Sequence, residues 1–354
     1  MSKNFNLSQD GFTKKHTLIC KGIALLLMYF HHLFYNQSVF EGFNIIWTPI
    51  SEETAVWIAA KCKVCVAIFV FLSGYGYAKK YKDIKTIKLK NAVASYLKLM
   101  IGFWIIYILA FSISVFSDRT PIDVYGGYGL KFIAKVIIDF MGMSYIFSTA
   151  TLNGTWWYMS LAIIFIFISP IIIWMINKRK YTGVMVAVIL FALAFLPLQY
   201  KWRSILFYSF TLTIGIMCSK YELFERLNKN ITMEVTTTCV MALAIVISRK
   251  FSLFWLWDTV FSVIVCYLIY KAYFIFKPLE KVLYTIGKYS MNGFLIHSFI
   301  YYYYFREEIY SIKFFLGIWV ILTCITLVLS YLIERIKKII GYNKVITKLK
   351  RLQS

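Results

Sequence analysis

The stretch KGIALLLMYFHH, Lys21 to His32, places a cation, an unbroken apolar run and a histidine pair in one segment. Read as a helix, it puts Lys21 and His32 about three turns apart on one face, about 16 Å apart along the axis, with His31 rotated roughly 100° away. Holding an ionisable side chain inside a bilayer helix costs on the order of a few kcal/mol, so such residues turn toward the protein interior and serve a purpose there. In the competing reading Lys21 reaches back to the headgroups and the histidines rest at the opposite interface. The rest of the chain decides between them.

The 354 residues are 60% hydrophobic and 19% aromatic with a mean hydropathy of +0.69, a balance that excludes a soluble globular domain. The expectation is an all-α, polytopic membrane protein forming one integral membrane domain over 1–354, with short tails at 1–15 and 336–354. Reading apolar runs as helices gives about ten spans, near 17–35, 55–78, 92–116, 153–176, 183–200, 204–219, 231–248, 253–273, 290–305 and 313–333. No cleavable signal pattern is expected, because the first fifteen residues are polar and no small-residue cleavage site follows the first apolar run. The seven cysteines lie in apolar segments, and the CxxC of Cys62 and Cys65 has no second pair, so small buried side chains describe them better than a metal or redox centre.

The net charge of +23 invites a nucleic-acid reading, but its distribution follows the membrane instead. With the N-terminus inside, about 26 of the 39 Lys and Arg residues fall in cytoplasmic segments and about nine outside. Both termini are therefore expected in the cytoplasm, and the partner is a lipid bilayer rather than nucleic acid. The loop KKYKDIKTIKLKN, residues 79–91, concentrates this charge and suits cytosolic anions or anionic lipids.

Further along, FVFLSGYGYAKK carries Ser73-Gly74-Tyr75-Gly76 to the inner surface, where glycines permit a close backbone approach or local unwinding. Residues 129–148 carry Lys131, Lys135 and Asp139 at i, i+4 spacing, one polar stripe on an apolar helix, which reads as an interfacial helix on the outer surface. NGTWWYMSLAI brings Trp156 and Trp157 into the next span, a position usual for an aromatic belt. IGKYSMNGFLIHSF sets His297 halfway through a late helix, followed by YYYYF.

Four of these stretches resemble one family. KGIALLLMYFHH is similar to the first-helix signature of bacterial membrane acyltransferase family 3, in which Arg or Lys is separated from His by ten intervening residues. FVFLSGY resembles the second-helix motif, TWWYMSLAI the tryptophan-led fourth-helix motif, and KYSMNGFLIH the late helix ending in His. The order agrees from residue 15 to about residue 335. The resemblance implies a multi-pass O-acetyltransferase of the bacterial inner or plasma membrane that uses cytoplasmic acetyl-CoA as a donor substrate, with no bound cofactor or metal. The implied acceptor is a surface polysaccharide or its lipid-linked glycan precursor. It assigns His32 as catalytic and Lys21, Ser73 and Gly74 to substrate binding; His31, Trp156, Trp157 and His297 are further substrate-binding candidates. The chain departs from the pattern in having Lys rather than Arg at 21, which lacks the bidentate fork. Lys98 with Gly102 stands where an arginine-rich motif with a proline is usual, and Ser160 and its neighbours offer no acid where many members carry glutamate.

The residues agree with that chemistry on their own terms. Moving an acyl group from a thioester to a hydroxyl needs a base near neutral pKa, which histidine supplies. Lys88, Lys90 and Lys98 lie at the cytoplasmic level where acyl-CoA phosphates would dock. Asp258, placed by depth level with His32, is the expected orienting carboxylate, although an ion pair with Lys61 or Lys63 explains it equally well. The rival reading is a transporter or flippase of a charged glycan, with Lys and His lining its path; the absence of an inverted repeat weighs against it.

Overall fold

In the computed structural model, which describes residues 11–229, 254–271 and 277–351, the apolar runs become helices. In chain order these are α1 (Lys14–Phe34), α2 (Glu52–Lys61), α3 (Val64–Lys80), α4 (Leu89–Val115), α5 (Pro121–Tyr125), α6 (Leu130–Phe140), α7 (Ser144–Phe147), α8 (Trp157–Lys178) and α9 (Thr182–Leu193). There follow α10 (Tyr200–Lys220), α11 (Leu223–Lys229), α12 (Phe254–Lys271), α13 (Glu280–Lys288), α14 (Ser290–Ser298), α15 (Arg306–Tyr310), α16 (Phe315–Ile339) and α17 (Tyr342–Arg351). Among the described residues no strand forms, and Ile46 with Phe314 makes one isolated bridge.

Five described stretches are long and apolar enough to cross a membrane: Lys14–Phe34, Glu52–Lys80, Leu89–Val115, Gly154–Lys178 and Phe315–Ile339. They correspond to the first four expected spans and the last. The expected span at 231–248 lies outside the described residues. The stretch expected at 183–200 is shorter as a helix: the chain turns after Leu193, and Pro197 disfavours a helical residue before it. At 204–219 the helix α10 is present, but buried hydroxyls dilute its apolar character: Ser209, Thr211 and Thr213 each bond back to the carbonyl four residues earlier. The run at 290–305 is not one α-helix either. After α14 the backbone widens into a π-helical segment, Phe299–Tyr304.

The chain divides into two compact units, residues 1–31, 58–86 and 169–290 in the first and 32–57, 87–168 and 291–354 in the second. The first is held by two reciprocal glycine crossings. A Cβ on Gly74 of α3 would meet the Leu212 carbonyl of α10, and one on Gly215 of α10 would meet the Phe71 carbonyl of α3. Gly22 of α1 and Gly287 of α13 repeat the arrangement against the carbonyls of Leu283 and Leu18. Small residues let such backbones approach to direct contact, which is how helices gain packing where lipid is no less apolar than leucine. Thr13 starts α1 by exchanging bonds with His16: the Thr13 N–H donates to His16 Nδ1 at 3.0 Å, and the His16 N–H to Thr13 Oγ1 at 3.5 Å. This is a capping box with histidine in the glutamate position.

The second unit is built on an apolar core of Met100, Phe103 and Tyr107 from α4, Trp156 just before α8 and Met159 within it, Leu295 of α14, and Phe299 at the head of the π segment. The base of α14 is fixed separately. Asn292 donates to Glu334 Oε1 at 2.9 Å and accepts from the buried Lys337 ammonium at 2.7 Å, both on α16. A buried cation satisfied by a carboxylate and an amide is tolerable where a lone one is not.

Candidate active site

The second unit brings the last histidine of α1 to the histidine of α14. The rings of His32 and His297 lie 5.1 Å apart between centroids, though 265 positions separate them in sequence. Tyr301, from the π segment, stacks on His297 at 5.8 Å and lies 6.3 Å from His32. His297 is fully buried and His32 partly so. π-helical turns are rare and concentrate at functional sites; this one begins two residues after His297.

The protonation pattern of His297 follows from its partner. Its Nδ1 lies 2.8 Å from the Phe294 carbonyl, which can only accept, so Nδ1 carries the proton and Nε2 is the basic nitrogen of the neutral ring. Ser298 Oγ lies 3.4 Å from that Nε2 and 3.1 Å from Thr155 Oγ1. Thr155 in turn donates its hydroxyl proton to Asn153 Oδ1 at 2.8 Å.

His31 belongs to different surroundings. Its Nδ1 donates to the Ala59 carbonyl of α2 at 2.8 Å, within the first unit, which is the contact of a packing histidine. The remaining predicted residues are spread over both units. In the first, Lys21 is partly buried on α1, Ser73 Oγ donates to the Phe69 carbonyl of its own helix at 2.8 Å, and Gly74 is closed by α10. Asp258 lies on α12, and the charges acting on it are those of Lys63 and then Lys61. In the second unit Lys88 and Lys90 are exposed at the start of α4, with Lys98 two turns further along and partly buried.

The tryptophan pair divides. Trp156 is no belt residue: it is 3% exposed, packs edge-on to Phe103 at 4.9 Å and donates from Nε1 to the Leu295 carbonyl at 3.0 Å. Trp157, partly buried, meets Tyr145 at 5.6 Å. Sequence reasoning also missed the part played by Asp139. It does not continue a solvent-facing stripe with the exposed Lys131; it is 1% exposed and accepts from Tyr125, Ser144 and the Leu152 N–H at 2.6, 2.6 and 2.8 Å. Burial pushes its carboxyl above the ordinary carboxylate range, and these donors, Ser144 foremost, pull it back. The signal was present in TLNGT, since an Asn-Gly pair just before a span is a turn that something must hold.

Helices long and apolar enough to cross a membrane mark a membrane protein, and this one sets two histidine rings side by side. Residues 19–335 match the family model described as an acyltransferase domain, and the chain belongs to this family, acyltransferase family 3; it is a membrane acyltransferase. No curated protein and no solved structure matches the chain.

Proposed function

We propose that this enzyme transfers an acetyl group from cytoplasmic acetyl-CoA to a hydroxyl of an extracytoplasmic surface polysaccharide or its lipid-linked precursor, in the bacterial inner or plasma membrane. The observation that carries the reading is the His32–His297 pair, 5.1 Å between rings, in a chain of this family. His32 takes the proton of the acceptor hydroxyl as its oxygen attacks the thioester carbonyl. Collapse of the tetrahedral adduct breaks the carbon–sulfur bond, and His32 returns the proton to the departing thiolate. One residue thus serves as base and then acid, which suits imidazole near neutral pH.

His297 holds the acceptor hydroxyl in line, with Nε2 as acceptor, and Tyr301 provides an aromatic face of the kind sugar rings pack against. Lys21, about three turns along α1 from His32, answers a donor phosphate, with Lys88, Lys90 and Lys98 as further cations. Ser73, on the same unit as Lys21, is a further donor-side residue.

Purified protein in liposomes, given radiolabelled acetyl-CoA and polysaccharide from the expressing cells, should label the polysaccharide. Uptake of glycan without label transfer would favour a transporter instead.

A further inference from the structure

The loop from Thr149 to Trp156 touches α14 directly behind His297, and the groups that hold this loop take no part in the proton transfer described above. Leu152 is gripped on both sides of its peptide: its N–H donates to Asp139 Oδ2 at 2.8 Å, and its carbonyl accepts from the Arg119 guanidinium at 2.7 Å. Asp139 is itself fixed, taking the Tyr125 hydroxyl on Oδ2 and the Ser144 hydroxyl on Oδ1, and Tyr125 is tied on to Tyr107 of α4 at 2.8 Å. The Arg119 guanidinium also lies 4.0 Å over the Tyr303 ring, whose hydroxyl accepts from the Gly154 N–H at 3.1 Å.

Everything so held converges on the histidine. Asn153, fully buried, donates from Nδ2 to the Leu295 carbonyl at 3.3 Å, and Trp156 donates to the same carbonyl, two residues before His297. The hydroxyl chain has a direction. Thr155 gives its one proton to Asn153, so at the 3.1 Å contact Ser298 donates and Thr155 accepts. Ser298 then turns its lone pairs toward His297 Nε2, at 3.4 Å. A hydroxyl oriented this way does not compete with the acceptor hydroxyl for the Nε2 lone pair. The orientation holds only while Asn153 stays in place, and Asn153 is placed by Leu152.

We propose that Asp139 is a positioning residue for acyl transfer: by fixing Leu152 it holds Asn153, Thr155 and Trp156 against Leu295 and Ser298, and so sets the orientation of His297 and the direction in which its Nε2 accepts a hydrogen bond. This rests on the reading of His32 and His297 as the acyl-transfer site. A carboxylate with three donors in a buried setting is a rigid support, and misplacing a catalytic group by about 1 Å costs about a hundredfold in rate.

The test uses the full chain in liposomes and four forms: wild type, Asp139→Asn, His297→Ala and the double variant. Asp139→Asn keeps size and one acceptor oxygen. It should lower kcat/KM for the polysaccharide about tenfold to a hundredfold, leave the KM for acetyl-CoA unchanged, and add nothing further once His297 is Ala. A merely structural aspartate would lower the active fraction, reducing kcat and kcat/KM by the same factor with both KM values unchanged, and would multiply with His297→Ala. Multiplicative losses, or a donor KM that shifts equally, overturn the proposal.

Hydrogen exchange gives a second reading that needs no turnover. Asp139→Asn should speed exchange in 149–156 and 294–303 and leave 64–80 as in the wild type; unchanged exchange in 294–303 overturns the proposal as well. His32→Ala in the same assay separates the two failures. If His32→Ala transfers like the wild type, the catalytic reading falls whatever Asp139 does; if it is inactive while Asp139→Asn behaves as wild type, only the positioning role falls.

Discussion

At the scale of single residues, adjacent histidines on one helix have been given different work by what they meet. His31 donates to the Ala59 carbonyl, whereas His32 lies beside His297. His32→Ala should therefore reduce acetyl transfer by about two to four orders of magnitude at matched protein level, because the proton acceptor is gone. His31→Ala should keep most activity and lose about 1 kcal/mol of stability, the net worth of one hydrogen bond. His297→Ala should fall between them. Loss in His31→Ala with near-normal turnover in His32→Ala would reverse the assignment. On the donor side, Lys21→Ala should raise the KM for acetyl-CoA while Lys21→Arg keeps or lowers it, since guanidinium grips a phosphate in two places; an unchanged KM in Lys21→Ala moves that role to other cations. The i, i+11 spacing made His32 readable from sequence, and the motif around it made His297 a candidate. Their meeting was not readable, because nothing local in α1 or α14 encodes a contact across 265 positions. Asp139 was misjudged for a related reason: its i+4 relation to Lys135 says which stripe it shares, while its burial depends on Tyr125, Ser144 and Leu152, which lie off that stripe.

At the scale of elements, the glycines of SGYG are not equivalent. Gly74 sits against the Leu212 carbonyl, whereas nothing lies within 4 Å of a Cβ built on Gly76. Gly74→Val should force α3 and α10 apart, costing about 1–3 kcal/mol or more from overpacking, because the obstacle is backbone and has no rotamer to change. Gly76→Ala should be neutral or slightly stabilising, as expected for alanine in a helix. Thermal unfolding of both variants in detergent checks the pair, and equal melting temperatures would mean the crossing tolerates a side chain. Sequence pattern marked the first of these crossings by its two close glycines. It gave no sign of the second, since Gly22 and Gly287 each stand alone among larger residues and become meaningful only as partners across α1 and α13.

At the scale of the whole molecule, the helical character follows from composition, and the charge distribution predicts an orientation that labelling can test. Five described stretches can cross a membrane by length and composition, and the loop after the second, residues 81–88, lies within a run of six lysines between 79 and 90. That loop is anchored by its backbone rather than by its charges. The carbonyl of Lys82 accepts from Asn177 at 3.2 Å and from the Lys220 ammonium at 2.9 Å, and that of Lys85 accepts from Trp174 at 3.1 Å. The Lys82 side chain itself is exposed, so a cysteine there reports the side of the membrane without disturbing what holds the loop. In a background with all seven native cysteines replaced, Lys82→Cys in intact cells should resist a membrane-impermeant maleimide and react once the cells are opened. Ser51→Cys, exposed in the loop between α1 and α2, should react in intact cells. The physical basis is that lysine-rich short loops are retained on the cytoplasmic side during insertion, and residues 36–54 contain no Lys or Arg to compete. The same predicted orientation would put Lys21 toward the donor side of α1 and His32 toward the acceptor side, so the labelling result also bears on the chemistry. Labelling of Lys82→Cys from outside intact cells would invert the helix, exchange the donor and acceptor ends, and remove the reason for assigning phosphate recognition to Lys21.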